Sequence, residues 1–514
     1  MRYWLTAAAL IASLTPSHSV SLNSRAISGE NGLPGLKSLE GQLQDSFQPY
    51  TELQGGYTYN KAEAEGVDAY TDPSALEYPM SASGFSTQAA SPQKQIGAYY
   101  PDWQTNRLPV NQIDWSHIDY ISYAFGLISS SNYEITLSAG SDSILTSLVD
   151  AAHAQTPSKR VELSIGGWTG SAPFSEAVST EANRKKLATA MVNAQKKWNL
   201  DGIDIDWEYP GLPGAGNPHT GSDSANYLKF LKLLKPQLPS GVTLSAATSV
   251  YPFAGPDGKP LADVSGFGEV FDHILIMNYD VFNAAPAPGP NAALHDTCGS
   301  SKPGANAEDS ITAWNKAGIP LEKIYLGVPV YGYLHESSAK TLVARQTPTV
   351  PTGGGGGAAN TPGAAPATPA TPATPTTNPG APATPANPAN PGSPASDAPG
   401  AGSGSGTPVT IKNNDGTAAK GQVDADAIIA SGALKRVSST QWDAAGGWTR
   451  EWDDCSSTPF LYSGSQVLSY DDPESFKLKA QLAKDMGIGG MGSWTIVGDV
   501  DQGDMMAALW DNFK

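Results

Sequence analysis

Eight short apolar segments rich in β-branched residues recur along this chain, and helical patterns separate several of them. For example, Leu187, Met191 and Trp198 share one face of a predicted helix, and Asp472-Pro473 predicts the N-cap and first residue of another. Eight strands that alternate with helices predict an α/β fold of the (β/α)8 TIM-barrel type, with a doubly wound open sheet as the alternative. The predicted strands span 95–100, 118–125, 161–166, 202–208, 242–249, 272–279, 324–331 and 488–494.

The amino terminus has the pattern of a secretion signal. Arg2 supplies the positive start, residues 4–14 supply a short apolar core, and Ser17-His18-Ser19 supplies a small-x-small cleavage site. We therefore predict a signal peptide over 1–19 and a secreted protein, extracellular or in a cell wall. A buried first strand is the alternative.

Two other segments lie outside the predicted barrel. Residues 20–93 have few periodic patterns and are predicted to be a disordered extension or a prosegment, with a small binding module as the alternative. Residues 347–408 are Ala-Thr-Pro repeats between runs of glycine, which cannot bury a core and form extended, flexible chain. This low-complexity segment interrupts the barrel between the seventh and eighth strands, leaving barrel parts at 94–346 and 409–514.

Charge and cysteine content exclude several classes of function. The 514 residues carry a formal net charge of -18, which argues against nucleic acid and anionic membranes as partners. The seven histidines are scattered without the spacing of a zinc site, so we expect no metal and no cofactor. In a secreted chain, Cys298 and Cys455 most simply form one disulfide, although free thiols are the alternative. We expect a monomer that works alone.

The segment at 202–208, "GIDIDWE", concentrates acidic residues in an apolar setting. In a strand, Asp204, Asp206 and Glu208 share one face, while the intervening isoleucines and tryptophan share the other. Like charges in a poorly solvated barrel interior raise at least one pKa, and a carboxyl that stays protonated can act as a general acid. Glu208 lies nearest the carboxyl-terminal rim, where barrel enzymes hold their active sites, so it is the candidate acid. An exposed acidic strand and a calcium site are the alternatives, and the latter lacks the required glycine and loop chemistry.

Residues 201–208 match the D-G-x-D-x-D-x-E signature, and the chain here resembles glycoside hydrolase family 18, the chitinases. Other segments resemble motifs of this family in the same order. They are "YYPDW" (Tyr99 to Trp103), "YAF" (Tyr123 to Phe125), "SIGG" (Ser164 to Gly167), "MNYD" (Met277 to Asp280), "GVPVYG" (Gly327 to Gly332) and "GGMGSW" ending at Trp494.

The resemblance implies substrate-assisted hydrolysis, in which the 2-acetamido oxygen of the sugar attacks its own anomeric carbon. Glu208 would protonate the leaving oxygen and later activate water. Asp206 would bind the acetamido N–H, and Asp204 would share a proton with Asp206. Tyr279 would donate to the acetamido carbonyl.

The resemblance also implies substrate-binding and structural positions. Trp494 would form the apolar floor under the sugar, and Asp280 would contact the distorted ring. Further sugar contacts are expected at Met277, Tyr99, Phe125, Trp168 and Tyr331, with Trp103 as another candidate; core or rim packing is the alternative for Trp103, Trp168 and Tyr331. Asp201, Ser164, Gly166 and Gly167 are expected to be structural, with the serine and glycines letting the third strand pack closely beside the acidic one.

The sequence departs from the family pattern in two places. Many relatives have arginine after the Tyr-Gly of the seventh strand, whereas Tyr333 follows here. Many also insert a compact α+β subdomain, whose place the low-complexity segment and residues 409–445 take. We therefore expect a shallower cleft that favours endo-cleavage.

Together these features predict a secreted chitinase that acts on chitin or chitooligosaccharides. An endo-β-N-acetylglucosaminidase acting on N-glycans is a second enzyme hypothesis, because it uses the same acidic strand. A non-catalytic chitin-binding lectin is the hypothesis from another class. Such relatives typically lose the terminal acid, which is intact here as Glu208.

Overall fold

A computed structural model of the chain describes residues 93–283, 287–342, 407–499 and 503–514. The predicted signal at 1–19, nearly all of the extension at 20–93 and nearly all of the low-complexity segment at 347–408 lie outside the described residues. Predictions about their structure therefore stay predictions.

The described residues contain a closed barrel of parallel strands, which confirms the (β/α)8 prediction. Strands β1, β2, β4, β5, β6, β7, β8 and β16 form it, and β1 closes the ring by pairing in parallel with both β2 and β16. The strands are β1 Gln95–Pro101, β2 Tyr120–Ile128, β3 Ile135–Thr136, β4 Arg160–Gly166, β5 Gly202–Asp206, β6 Thr243–Thr248, β7 His273–Met277, β8 Ile324–Pro329, β9 Tyr331–Glu336, β10 Gly421–Asp424, β11 Leu434–Ser438, β12 Gln441–Ala444, β13 Thr449–Asp453, β14 Thr458–Ser463, β15 Gln466–Ser469 and β16 Gly490–Trp494.

Helices cover the outside of the barrel with their apolar faces. Leu187, Met191 and Trp198 are buried as predicted. The side chain of Asp472 accepts hydrogen bonds from the backbone N–H groups that open its helix, with Pro473 as the first residue, so that predicted helix start is also confirmed. The helices are α1 Ser141–His153, α2 Phe174–Ser179, α3 Glu181–Lys197, α4 Asp223–Leu234, α5 Ser265–Gly268, α6 Ala307–Lys316, α7 Ala425–Ala430, α8 Pro473–Asp485 and α9 Asp504–Phe513.

The predicted strand at 324–331 divides into two parts with different roles. β8 ends at Pro329, and β9 leaves the barrel to join a separate antiparallel sheet with strand order β10-β9-β15-β14-β13. The hairpin β11–β12 and the short helix α7 lie within the same insertion. A compact α+β subdomain therefore follows the seventh barrel strand.

The expectation that this subdomain is missing was wrong. The shallower cleft that we inferred from its absence is therefore no longer supported. The strands of the subdomain are short, and the low-complexity segment separates β9 from its partner β10 in sequence. Strands of four to six residues carry little periodic signal, and their pairing is set by contacts distant in sequence. The low-complexity segment is thus an insertion within the subdomain and not a replacement for it.

One disulfide ties the subdomain to the barrel. Cys298, in the loop between β7 and α6, is bonded to Cys455, in the turn between β13 and β14, which confirms the predicted pairing. No helix in the described parts of the chain is long and apolar enough to span a bilayer.

Candidate active site

The acidic segment forms β5 and its carboxyl-terminal continuation. Along β5, Ile203 and Ile205 are fully buried in the main hydrophobic core, while Asp204 and Asp206 lie in register with inward-facing residues of the neighbouring strands. Glu208 lies two residues beyond the end of the strand, at the rim. The period-two alternation thus separates an apolar outer face from an acidic inner face.

Asp204 is held by three hydroxyl donors. The Tyr99 hydroxyl and the Ser164 hydroxyl donate to Oδ2 at 3.0 and 2.8 Å, and the Ser245 hydroxyl donates to Oδ1 at 2.8 Å. Burial and the nearby carboxylate of Glu162 raise the pKa of Asp204, while the serine donors act in the opposite direction. Asp204 therefore sits in a fixed orientation with a strengthened affinity for a proton.

Asp206 is buried and only partly satisfied. Its Oδ1 has no hydrogen-bond partner in the described part of the chain. Burial raises the pKa of Asp206 well above its usual range, and the charges of Glu208 and Asp204 add to the effect. A buried, unsatisfied carboxyl oxygen is costly, so this position favours a proton or a donor from a bound ligand.

Glu208 has the properties of a general acid. Burial raises its pKa to about 8, with a smaller contribution from Asp280 and an opposing one from a hydrogen bond with Tyr209. Its backbone is fixed on both sides: its N–H donates to the Ser171 hydroxyl at 2.9 Å, and its carbonyl accepts from the Asn217 amide at 3.2 Å. With this raised pKa, the carboxyl is protonated at neutral pH and can donate that proton.

The backbone of Trp168 lies near that of Glu208, because the Asn217 amide donates to both backbone carbonyls. Tyr279 is buried, its ring packs edge-on against Tyr331 at 6.2 Å, and burial raises its pKa well above the usual range. Its hydroxyl therefore stays protonated and available as a donor.

Asp280 is clamped by two tyrosines. The Tyr331 and Tyr333 hydroxyls donate to its Oδ1 at 2.6 and 2.8 Å, and the Asn291 side chain accepts from its backbone N–H at 2.8 Å. Burial raises the pKa of Asp280, against the effect of the two hydroxyls. Tyr333, at the position where many relatives carry arginine, thus supplies a neutral donor in place of a cation.

An aromatic surface lies beside these polar groups, since Trp494 packs against the cluster that contains Tyr279 and Tyr331. The Trp494 ring stacks on Phe125 with a 5.6 Å centroid separation, and its centroid lies 5.3 Å from that of Tyr99. Trp103, 45% exposed, stacks on Phe125 at 6.0 Å, and its centroid lies 6.5 Å from that of Trp494. Met277 and Trp494 both pack against two buried clusters, one that contains Tyr99 and one that contains Tyr279. A flat apolar surface beside polar side chains suits the face and the hydroxyls of a sugar.

The remaining predicted residues have structural surroundings. A Cβ on Gly166 would lie 2.1 Å from the Asp206 carbonyl oxygen, and one on Gly167 would lie 2.7 Å from the Phe125 ring. Both glycines also have positive φ, so a side chain at either position is disfavoured by the backbone conformation as well as by the lack of space. Asp201 lies at the opposite end of the acidic segment and accepts from the Val161 N–H at 2.8 Å.

Sequence reasoning missed several residues that orient the predicted ones. Ser245 was detectable, because it alternates with apolar residues on a predicted strand next to β5. Tyr333 was noted only as a departure from the family pattern. Ser171 and Asn291 lie in loops and had no periodic signal.

The arrangement can perform acid catalysis on an acetal. It combines a buried acid protonated at neutral pH, a second buried carboxyl beside it, and an apolar surface for a sugar ring. In the described ranges, no three His, Cys, Asp or Glu side chains are grouped so as to hold a metal ion.

Comparisons with known proteins agree with this chemistry. The sequence model described as Glycosyl hydrolases family 18 matches residues 95–499. A chitinase-like effector from Moniliophthora roreri is 32% identical over 437 residues, covering 82% of this chain and 93% of that protein. A probable endochitinase from Caenorhabditis elegans is 29% identical over 347 residues, covering 65% of this chain and 43% of that protein.

A solved structure has the same architecture. The crystal structure of a chitinase from Rhizomucor miehei aligns with a TM-score of 0.61 at 28% identity. The alignment covers 82% of this chain and 100% of that one.

Proposed function

The chain belongs to glycosyl hydrolase family 18, and on that premise we propose that it is a secreted chitinase. It hydrolyses β-1,4 bonds between N-acetylglucosamine units by a retaining, substrate-assisted mechanism. The observation that carries this proposal is Glu208, a buried carboxyl with a pKa of about 8 beside a second buried carboxyl, Asp206.

In the first step, the proton of Glu208 goes to the glycosidic oxygen as the bond to the anomeric carbon breaks. The 2-acetamido oxygen of the same sugar attacks that carbon and forms a cyclic oxazolinium ion. Asp206 accepts a hydrogen bond from the acetamido N–H, which supplies the partner that its Oδ1 lacks. Tyr279 donates to the acetamido group and keeps it in place for attack.

In the second step, Glu208 is a carboxylate and removes a proton from water. The water attacks the anomeric carbon and opens the ring, which restores the acetamido group and the protonated acid. Two inversions at one carbon retain its configuration. Asp204 shares a proton with Asp206 through the cycle, held in orientation by Tyr99, Ser164 and Ser245.

The substrate lies on the aromatic surface of Trp494, with Asp280 accepting from a sugar hydroxyl through its second oxygen. Trp103, Phe125 and Trp168 extend the surface to neighbouring units. The proposal includes endo-action, because Trp103 is the exposed member of the cluster with Phe125 and Trp494 and can stack against an additional sugar of a long chain. We also propose that the enzyme acts as a monomer.

A second candidate is a chitin-binding protein without turnover. It is favoured by one observation, namely that a relative covering most of this chain carries the name chitinase-like effector. The intact Glu208 and its raised pKa favour the enzyme.

The experiment uses the purified protein and its Glu208→Gln variant. Each is incubated with chitooligosaccharides and with an N-glycosylated protein, and the products are followed by chromatography and mass spectrometry. We expect oligosaccharide cleavage by the wild type only. Binding without cleavage of either substrate would support the second candidate, and glycan release without oligosaccharide cleavage would indicate an endo-β-N-acetylglucosaminidase.

A further inference from the structure

A buried glutamate that the proposed mechanism does not use lies below the catalytic carboxyls. Glu162 on β4 is in register with Gly202 on β5 and Thr243 on β6, one layer beneath the pair Ser164 and Asp204. It is fully buried. A buried carboxylate must be compensated by hydrogen bonds or an opposite charge, because the desolvation of its charge is costly.

One hydroxyl connects Glu162 to the catalytic group. Ser245 Oγ lies 2.8 Å from Asp204 Oδ1 and 3.3 Å from Glu162 Oε2. The serine has one proton to donate, so it favours the nearer Asp204, and the two carboxyls compete for it. The two oxygens are therefore no more than about 6 Å apart, close enough for one charge to act strongly on the other.

Glu162 is accommodated by specific features of its neighbours. The Thr243 hydroxyl donates to its Oε1 at 2.6 Å. A Cβ on Gly202, the glycine of the acidic motif, would lie 2.6 Å from the Glu162 Cγ and 2.2 Å from the Thr243 Oγ1. The motif glycine in this chain thus leaves the space that the buried carboxyl occupies.

Arg160 Nη1 lies 3.7 Å from Glu162 Oε1. Burial raises the pKa of Glu162, and the Arg160 charge and the Thr243 and Ser245 hydroxyls oppose that effect. His273 is buried against the Tyr325 ring, and burial lowers its pKa to about 4, so it is neutral at higher pH. The titratable and charged groups around Glu162 are Arg160 on β4, Tyr120 on β2, Asp204 on β5, Asp272 and His273 at the start of β7, and Tyr325 on β8.

We propose that Glu162 is a positioning residue that acts across Ser245 on Asp204 and so sets the pH range in which the Asp204–Asp206 pair keeps its shared proton. It does not touch the sugar. Its charge strengthens the hold of the pair on a proton, while the Ser245 donor weakens it. This role rests on the proposed function, since the shared proton belongs to that mechanism.

The test compares pH profiles of kcat/KM for two variants that act in opposite directions. The acidic limb reports uptake of a second proton by the Asp204–Asp206 pair. Glu162→Gln keeps the size of the side chain and removes its charge, so the limb moves down by about one pH unit. Ser245→Ala removes a donor to Asp204, so the limb moves up. KM stays within about twofold of wild type in Glu162→Gln, because the residue lies beneath the sugar site.

The matched control is Glu322→Gln, which removes one charge from an exposed glutamate and leaves the profile unchanged. If Glu162 has a purely structural role, Glu162→Gln lowers kcat but leaves both limbs of the pH profile at their wild-type pH values. That result would overturn the proposal. A shift of the acidic limb in the same direction in Glu162→Gln and Ser245→Ala would also overturn it.

A second readout does not depend on turnover. In protein labelled with 13C at the aspartate carboxyls, the Asp204 resonance is assigned by its loss in Asp204→Asn, and its titration midpoint falls in Glu162→Gln. If the wild type cleaves nothing, the proposed function fails, and this titration still decides the role of Glu162. An Asp204 midpoint that is the same with and without the Glu162 charge would refute the role.

Discussion

The raised pKa of Glu208 predicts that this proposed general acid also destabilises the fold at neutral pH. The folded-state value of about 8 exceeds the ordinary value of 4.5. The unfolded chain therefore loses this proton at lower pH than the folded chain, and stability falls as the pH rises from about 4.5 to 8. Over the whole interval this costs about 5 kcal/mol, and about 3 kcal/mol of it is lost by pH 7.

Glu208→Gln removes this cost, because glutamine has nearly the same shape and does not titrate. We expect the variant to be more stable than wild type by about 3 kcal/mol at pH 7 and nearly equal to it at pH 4. Denaturant unfolding at the two pH values, followed by tryptophan fluorescence, measures the difference. The surface variant Glu322→Gln serves as the control and should match wild type at both.

Two results would contradict the stability cost that we assign to the raised pKa of Glu208. A Glu208→Gln variant with the same stability as wild type at pH 7 would mean that the carboxyl is ionised at little cost in the folded state. A stability gain of equal size at pH 4 and pH 7 would mean that the gain comes from packing and not from protonation.

Further predictions concern activity and stability. Because Glu208 must be protonated to donate, kcat/KM should fall about tenfold per pH unit above pH 8, and a decline centred near pH 4.5 would contradict its assignment as the acid. Replacing Cys298 and Cys455 by serine opens a bond between residues 157 apart, so thermal unfolding should show a loss of up to about 5 kcal/mol, and an unchanged melting temperature would contradict the stabilising role. Gly166→Ala would place a Cβ 2.1 Å from the Asp206 carbonyl oxygen at a positive φ, so we expect loss of more than about 2 kcal/mol in the same assay, and wild-type stability would show that the strand can shift.

The barrel was predictable because its signals are local. The barrel strands are short segments rich in apolar residues, and the period of two in β5 separates Ile203 and Ile205 from Asp204 and Asp206 without any knowledge of distant contacts. The strand ends were less well predicted. The segment at 324–331 was read as one strand, although β9 begins at Tyr331 in a different sheet.

The subdomain and the support of the site were not predictable in the same way. β9 pairs with β10 and β15, which lie far along the chain on the other side of the low-complexity segment. Tyr333 reaches Asp280 only because β9 runs in that sheet, and Asn291 reaches it from a loop. These contacts depend on tertiary pairing, which no periodic pattern in the sequence encodes.

The most direct test of the account is the anomeric configuration of the first product. Wild-type enzyme is mixed with a chitooligosaccharide, and the new reducing end is observed by 1H NMR before mutarotation equilibrates it. Substrate-assisted hydrolysis gives the β anomer, because the acetamido group and then water each invert the same carbon beside Glu208 and Asp206. Initial formation of the α anomer, or the absence of cleavage, would contradict it.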